Sequence, residues 1–181
     1  MKMEKLGVCT GLIGFALATL VGSSYAAAAG GKKIVHSDTL TEYQEATPAG
    51  VSSPGTGSFG AEIDATTISY DLRYSGLTAA ATVAHIHFGN RFTSGGVSVF
   101  LCVGGGKPAC PAGTTSEAVV TGTITAADVI GPAGQGIAPG EFEELVRAIL
   151  AGVTYVNVHN ANFPSGEIRG QIRGVRREHD D

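Results

Sequence analysis

The sequence predicts an all-β protein, an antiparallel sandwich or barrel of about seven to eight short strands with one amphipathic helix. Short segments alternate between apolar and polar residues with a period of two, which is the pattern of half-buried strands. Glycine-rich turns separate these segments, and 27 of the 181 residues are glycine. A single segment changes to helical spacing. Short strands divided by such turns favour a sandwich or a barrel over a fold that alternates strands with helices.

The N-terminal segment is predicted to be a signal peptide that precedes the fold. Lys2 and Lys5 give a positive start, an apolar stretch follows over residues 6–21, and small residues come next. A transmembrane anchor normally needs about 20 clearly apolar residues, and glycine and threonine interrupt this shorter stretch. We therefore expect a signal peptide over residues 1–26 and a place in the periplasm or outside the cell. An uncleaved anchor is the alternative.

The charge of the chain argues against two classes of partner. The formal net charge is −4, tryptophan is absent, and the sequence contains no basic stripe. Nucleic acids and anionic membrane surfaces are therefore not expected as partners. Removal of the signal peptide would leave no membrane span and enough chain for one domain with its own core.

Eight segments have the composition and alternation of strands. They are "KIVHSDTL" (33–40), "SFGAEI" (58–63), "ISYDLRY" (68–74), "ATVAHIHF" (81–88), "GVSVFLC" (96–102), "AVVTGTI" (118–124), "TYVNVHN" (154–160) and "GEIRGQIR" (166–173). Residues 46–57 and 131–140 are rich in glycine and proline and are predicted to be loops.

One amphipathic helix is predicted over residues 141–150. Pro139 lies near its start and Gly152 lies just past its end, as at many helix boundaries. Its apolar residues follow helical spacing and form one stripe. They are Phe142, Leu145, Val146, Ile149 and Leu150. We expect this stripe to pack on the sheet or to close one end of it.

Cys102 and Cys110 are the two cysteines beyond the signal peptide, and they enclose "VGGGKPA". An even pair around a glycine-rich turn indicates a disulfide in an oxidising compartment. The alternative, two free thiols in a reducing cytosol, conflicts with the predicted signal peptide.

The histidines of "HIHFG" are the candidate metal ligands. Residues i and i+2 of a strand point to the same face, so His85 and His87 share one face. Their Cα atoms would lie about 6.5 Å apart, and both imidazoles can reach one ion at about 2 Å. His159 shares a face with Tyr155 and Asn157 on another strand. If the two strands are neighbours, His85, His87 and His159 could hold copper or zinc.

A structural role for these polar faces is the alternative. The segment "GEIRGQI" offers Glu167, Arg169 and Gln171 on one face. In this interpretation the three strands form a hydrogen-bonded polar layer in which Arg169 and Glu167 satisfy each other.

Long stretches of the sequence resemble the CHRD domain, a family named from the repeats in chordin that also has exported microbial members. The resemblance is carried by "AHIHFGN", "GGVSVFLC" and "LVRAILAGVTYVNVHNANFPSGEIRGQI". The earlier "TLTEYQEATPAGVSSPGTGSFGAEID" is similar to the N-terminal pattern of the family and places Glu45 at its acidic position. Asn160 is a mild departure, because a threonine is expected after the histidine. The resemblance runs over residues 33–173 and leaves residues 174–181 as a polar tail.

The resemblance implies an immunoglobulin-like β-sandwich or barrel whose role in microbes is largely unassigned. The growth-factor antagonism of chordin does not transfer to a lone domain, because function depends on sites and not on folds. We therefore expect an exported, non-enzymatic binding or structural module with an extracellular protein or an envelope component as its partner. The oligomeric state stays open.

A second, fainter resemblance supports an alternative function. The stretch "GLTAAATVAHIHFGN" is similar to the histidine-bearing strand of copper-zinc superoxide dismutase. It implies a Greek-key barrel with a copper or zinc site. The other ligand positions of that enzyme have no clear counterparts in this chain, so the resemblance does not extend to dismutase activity.

Overall fold

The computed structural model of the protein describes residues 31–174. The predicted signal peptide lies outside these residues, and of the predicted tail only Gly174 lies within them. Within this range no helix has the length and hydropathy that a membrane crossing needs.

The described residues contain nine strands and one α-helix, and each of the eight predicted strand segments and the predicted helix contains an element of the predicted kind. The strands are β1 (Lys33–Thr41), β2 (Thr56–Ile63), β3 (Ile68–Ser75), β4 (Ala81–Phe88), β5 (Gly96–Cys102), β6 (Ala118–Ile124), β7 (Thr154–Asn160), β8 (Ile168–Gln171) and β9 (Arg173–Gly174). The helix α1 (Phe142–Leu150) lies between β6 and β7 in the chain.

All strand pairs are antiparallel and belong to one sheet. The order across the sheet is β5-β4-β7-β8-β1-β2-β3-β6, with β9 paired to β1 outside this path. Three of the seven neighbouring pairs on the path join strands that are not consecutive in the chain, as in Greek-key folds. The sheet curls into a nearly closed barrel, so the all-β prediction is confirmed and the architecture is the barrel of the two alternatives.

The inner face of the barrel is the hydrophobic core. In β3 the alternation is complete, because Ile68, Tyr70, Leu72 and Tyr74 are buried and the residues between them are not. Burial of such side chains stabilises the fold by about 1.5–3 kcal/mol each. The two buried tyrosines also need partners for their hydroxyls. Tyr70 donates to the Leu101 carbonyl at 2.7 Å and Tyr74 to the Pro111 carbonyl at 2.6 Å.

The segment 166–173 was predicted as one strand, and the structure divides it. β8 lies between β7 and β1 and pairs with both, whereas β9 pairs with β1. Between them Ile172 is fully buried, and its N–H donates to the Thr154 carbonyl at 2.9 Å. The strand is therefore interrupted at Ile172, and beyond it the pairing with β1 resumes in β9.

Cys102 and Cys110 are joined by a disulfide, with their Cα atoms 5.1 Å apart. The bridge lies at the end of β5. Within the enclosed turn, the Lys107 ammonium pairs with Asp128 at 2.8 Å and donates to the Thr123 carbonyl at 2.7 Å. The disulfide loop is therefore attached to the end of β6, the strand on the other side of the barrel opening.

Candidate metal centre

β4, β7 and β8 are neighbours, and their register places the predicted polar faces side by side. His85 is opposite Asn157, His87 is opposite Tyr155, and Asn157 is opposite Arg169. The alternate residues of these strands point into the core. The polar residues therefore form one layer on the outer face of the barrel.

Loops bury this outer layer from solvent. His85, His87 and His159 are only 8–9% exposed, and Arg169 is 2% exposed. The Arg169 guanidinium donates to the carbonyls of Asn90 at 2.9 Å and Thr93 at 2.7 Å, which fixes the loop between β4 and β5 over the layer. The polar residues of the outer face are therefore buried, and each buried polar atom needs a hydrogen-bond partner.

The structure brings the three predicted histidines together. One ligand atom from each of His85, His87 and His159 lies within 4.8 Å of the other two. The His85 Nδ1 and the His159 Nε2 are 3.2 Å apart. Two nitrogens bound to one tetrahedral ion at 2.0–2.1 Å would lie about 3.3 Å apart. This pair already has nearly that separation, and a ligand nitrogen of His87 lies within 4.8 Å of the other two ligand atoms.

Backbone carbonyls set the tautomers of two of the imidazoles. The Nδ1 of His87 is 3.0 Å from the Gly95 carbonyl oxygen, and the Nδ1 of His159 is 3.1 Å from the Pro164 carbonyl oxygen. A carbonyl oxygen only accepts, so both Nδ1 atoms carry the proton and both Nε2 atoms carry a lone pair. Metal-binding histidines are commonly held this way by a second hydrogen bond.

The Nε2 of His87 is buried and has no hydrogen-bond partner among the described residues. The Nε2 of His159, in contrast, faces His85. The polar layer thus gives the His159 Nε2 a partner and leaves the His87 Nε2 without one.

Burial keeps the three imidazoles neutral. It lowers the pKa of His85 to about 3, with help from the neighbouring His159 and His87. It lowers the pKa of His87 to about 4, although the hydrogen bond to Gly95 opposes the shift. The pKa of His159 is lowered by burial as well. Neutral imidazole is the form that binds metal ions.

Aromatic contacts hold the rings in place. His87 stacks on Tyr155 with a centroid distance of 4.8 Å and an interplanar angle of 4°, and His85 meets the edge of Phe100 at 4.8 Å. The central guanidinium carbon of Arg169 lies 3.4 Å from the Tyr155 ring centroid, a cation–π contact. The His87 ring is therefore supported by side chains from β7 and β8.

Arg169 and Glu167 do not satisfy each other, so this part of the structural interpretation was wrong. Arg169 donates to the two loop carbonyls, whereas Glu167 accepts from the Thr78 N–H at 2.9 Å and from the Asn160 amide. The two side chains share a face, but each is covered by a different loop and bonds to that loop. Asn160, the departure from the family pattern, is thus a partner of Glu167.

Sequence reasoning missed the two carbonyls that orient the imidazoles. Gly95 and Pro164 lie in loops, and a backbone carbonyl has no sequence signal of its own. Glu45 was singled out by the resemblance alone. Its carboxylate oxygens accept from the Asn157 amide, both at 3.1 Å, so it belongs to the same buried layer.

Comparison with protein families gives one match. The family model described as CHRD domain matches residues 37–172, a range that contains all three histidines, both bridged cysteines and Glu45. No curated protein and no solved structure matches the chain.

Proposed function

The chain belongs to the CHRD domain family, and we propose that it acts outside the cytoplasm as a binding module for one copper or zinc ion, held by His85, His87 and His159. The same module would still be open to an extracellular or envelope partner, as the family resemblance implies.

The unpaired Nε2 of His87 is the observation that carries the proposal. A buried polar atom without a partner costs about 1–3 kcal/mol. A purely structural layer leaves this cost in place, although it satisfies the pair formed by His85 and His159. An ion among the three rings would take up the His87 lone pair together with one from each of the other two. The metal interpretation therefore explains a feature that the structural interpretation does not.

The donor set indicates which ions fit. All three ligand atoms are imidazole nitrogens, and the nearby cysteines are occupied by their disulfide. Imidazole suits zinc and copper, and Cu²⁺ binds more tightly than Zn²⁺ to a given nitrogen site. Three protein ligands leave one position of a tetrahedral ion for another group.

The disulfide supports a place outside the cytoplasm. Structural disulfides persist in oxidising compartments and are rare in the cytosol. The bridge between Cys102 and Cys110 agrees with the signal peptide predicted over residues 1–26.

Metal binding by protein without a polyhistidine tag tests the proposal. The protein is first dialysed against chelator and then incubated with Cu²⁺ or Zn²⁺. We expect it to bind one equivalent of the ion per chain by elemental analysis. Its Tm should rise, because the ion binds the folded state. The variant His85→Ala/His87→Ala should lose both effects. His36→Ala, which removes a histidine on β1 outside the cluster, should keep them. Equal metal binding by the double variant and the wild type would disprove the proposed site.

A further inference from the structure

We infer, on the basis of the metal site proposed above, that Tyr155 and Gln135 are positioning residues for the ion. They fix the peptide group between Gly95 and Gly96, and the carbonyl of that group holds His87 in the tautomer that binds metal.

The peptide group that joins Gly95 to Gly96 is hydrogen-bonded at both of its polar atoms. Its carbonyl oxygen, which belongs to Gly95, lies 3.0 Å from the His87 Nδ1 and accepts the proton on that nitrogen. Its N–H, which belongs to Gly96, donates to the Gln135 Oε1 at 2.6 Å. A hydrogen bond at one end of a peptide group polarises the group and strengthens the bond at the other end. Gln135 therefore orients the carbonyl that His87 contacts and makes it a better acceptor.

Tyr155 holds the preceding peptide group. The Gly95 N–H donates to the Tyr155 hydroxyl oxygen at 3.0 Å. The ring of Tyr155 also stacks on the ring of His87. One buried side chain of β7 thus supports the imidazole directly and holds the backbone that bonds to it.

The two glycines fit closely between the end of β4 and the loop that follows β6. A Cβ at Gly95 would overlap the Phe88 carbonyl oxygen, and a Cβ at Gly96 would lie 2.5 Å from the Pro132 Cβ. The Gln135 amide nitrogen donates to the same Phe88 carbonyl at 3.1 Å, so this side chain bridges the last residue of β4 and the first residue of β5. Close packing and hydrogen bonds together restrict the direction of the Gly95 carbonyl.

The direction of this carbonyl decides whether His87 can bind the ion. The hydrogen bond at one ring nitrogen of a histidine determines which of the two nitrogens carries the proton. With the Gly95 carbonyl in place the proton is on Nδ1, and Nε2 keeps its lone pair for the ion. If the carbonyl moved away, part of the protein would carry the proton on Nε2 and would have to lose this form before it binds metal. The ion should therefore bind more tightly while Tyr155 and Gln135 hold the backbone.

Paired variants test this effect on affinity. Tyr155→Phe keeps the ring that stacks on His87 and removes the hydroxyl, and Gln135→Ala removes an exposed amide. Together they should weaken Cu²⁺ binding about tenfold or more, as is usual when groups that orient a metal-bound histidine are lost. Tyr74→Phe/Gln44→Ala also removes one tyrosine hydroxyl and one glutamine amide, which bond to carbonyls elsewhere, and should bind copper like the wild type. Competition with a chelator of known affinity measures the change.

The tautomer of His87 is a readout that a merely structural role would not alter. NMR of the isotope-labelled ring nitrogens at pH 8 distinguishes the two tautomers in the metal-free protein, and a His87→Gln variant identifies the signals. The wild type and the control variant should carry the proton on Nδ1. Tyr155→Phe/Gln135→Ala should show the form with the proton on Nε2 as well.

Two outcomes would overturn the inference. If the wild type binds copper and Tyr155→Phe/Gln135→Ala either binds it as tightly as the control or keeps the His87 proton on Nδ1 alone, the two residues do not position the ligand and the metal site stands. If the wild type does not bind copper, the metal site and the inference both fall.

Discussion

Glu45 is a carboxyl group buried in the polar layer. Burial raises its pKa from 4.5 to about 7, and the hydrogen bond from Asn157 and the charge of Arg169 only partly oppose the shift. Because the pKa is higher in the folded protein than in the unfolded chain, the folded protein binds this proton more tightly. The contribution of the protonated Glu45 carboxyl group to stability is fully present below pH 4.5 and is lost as the pH rises through about 7.

We therefore expect Glu45→Gln to be more stable than the wild type at pH 8. The neutral amide avoids a buried negative charge, and the gain should be roughly 1–3 kcal/mol, since one pKa unit corresponds to about 1.4 kcal/mol. Urea denaturation at pH 8 measures it. Glu143→Gln, an exposed change in the first turn of α1, should not raise the free energy of unfolding and should lower it by at most about 1 kcal/mol. A Glu45→Gln protein less stable than the wild type at pH 8 would contradict this account of the carboxyl group.

The buried histidines should give the free energy of unfolding of the metal-free protein the opposite dependence on pH. Their pKa values fall from 6.5 to about 3 for His85 and about 4 for His87, so the unfolded chain binds protons that the folded protein does not. The contribution of the neutral histidines to stability is fully present above pH 6.5. It decreases as the pH falls towards the pKa values of the histidines in the folded protein. Each histidine that is charged only on unfolding should contribute a slope of up to about 1.4 kcal/mol per pH unit.

Denaturation in the Glu45→Gln background isolates this effect, because the carboxyl group titrates over an overlapping range. Between pH 6.5 and 4.5 we expect the free energy of unfolding to decrease clearly. Adding His85→Gln/His87→Gln should flatten the decrease, and adding His36→Gln should not. A slope that survives the double substitution would assign the pH dependence to other groups.

At the scale of elements, the apolar stripe of α1 correctly predicts which residues of the helix are buried. Its Leu145 is fully buried, Phe142 and Ile149 are buried, and Leu150 at the C-terminal end is 38% exposed. The helix ends where Gly152 takes a left-handed conformation, with φ of +72°. The predicted stripe thus packs on the barrel except at its last residue, Leu150, which is partly exposed.

Leu145→Ala should cost roughly 2–5 kcal/mol, because it leaves a cavity under the helix. Leu150→Ala removes the same atoms from a partly exposed position and should cost clearly less, on the order of 1 kcal/mol. Chemical denaturation of the two variants gives the comparison. Similar small losses for both would mean that the helix is only loosely attached to the barrel.

The strand β7 shows the limit of alternation patterns. Its alternating residues predict a half-buried strand, yet all seven are buried. Val156 and Val158 point into the core, whereas Tyr155, Asn157 and His159 lie on the other face under the covering loops. A period of two identifies the two faces of a strand, but it does not tell whether a loop covers the polar one.

At the scale of the whole molecule, the disulfide loop links the end of β5 to the end of β6 on the other side of the barrel opening. Cys102 ends β5, and the enclosed turn is attached to the end of β6 through Lys107. A bridge that closes so short a loop constrains the unfolded chain modestly. We expect Cys102→Ala/Cys110→Ala to lose on the order of 2–3 kcal/mol.

Mass spectrometry of the unreduced purified protein gives an independent check of the bridge. The protein should resist alkylation until it is reduced. Two thiols that react without reduction would contradict both the bridge and the oxidising compartment that it supports.

The sequence predicted the fold more completely than the site. The eight strand segments and the helix could be predicted because periodicity is a local property of the chain, and the family match over residues 37–172 confirms the resemblance. The contacts of Arg169 were predicted wrongly, because they depend on which loop lies above each side chain. Metal binding, export and partners stay predictions.

The sequence by itself determined that His85 and His87 share a face, that Tyr155, Asn157 and His159 share another, and that an apolar stripe runs along the helix. These properties follow from the geometry of each element alone. Only the tertiary structure decided that β4 pairs with β7, which brings His159 to within 3.2 Å of His85 across 74 positions of sequence. It also decided that loop carbonyls orient two imidazoles and leave the His87 lone pair buried and unpaired. The physical reason is that strand register and loop cover are set by packing between distant segments, which local patterns do not encode.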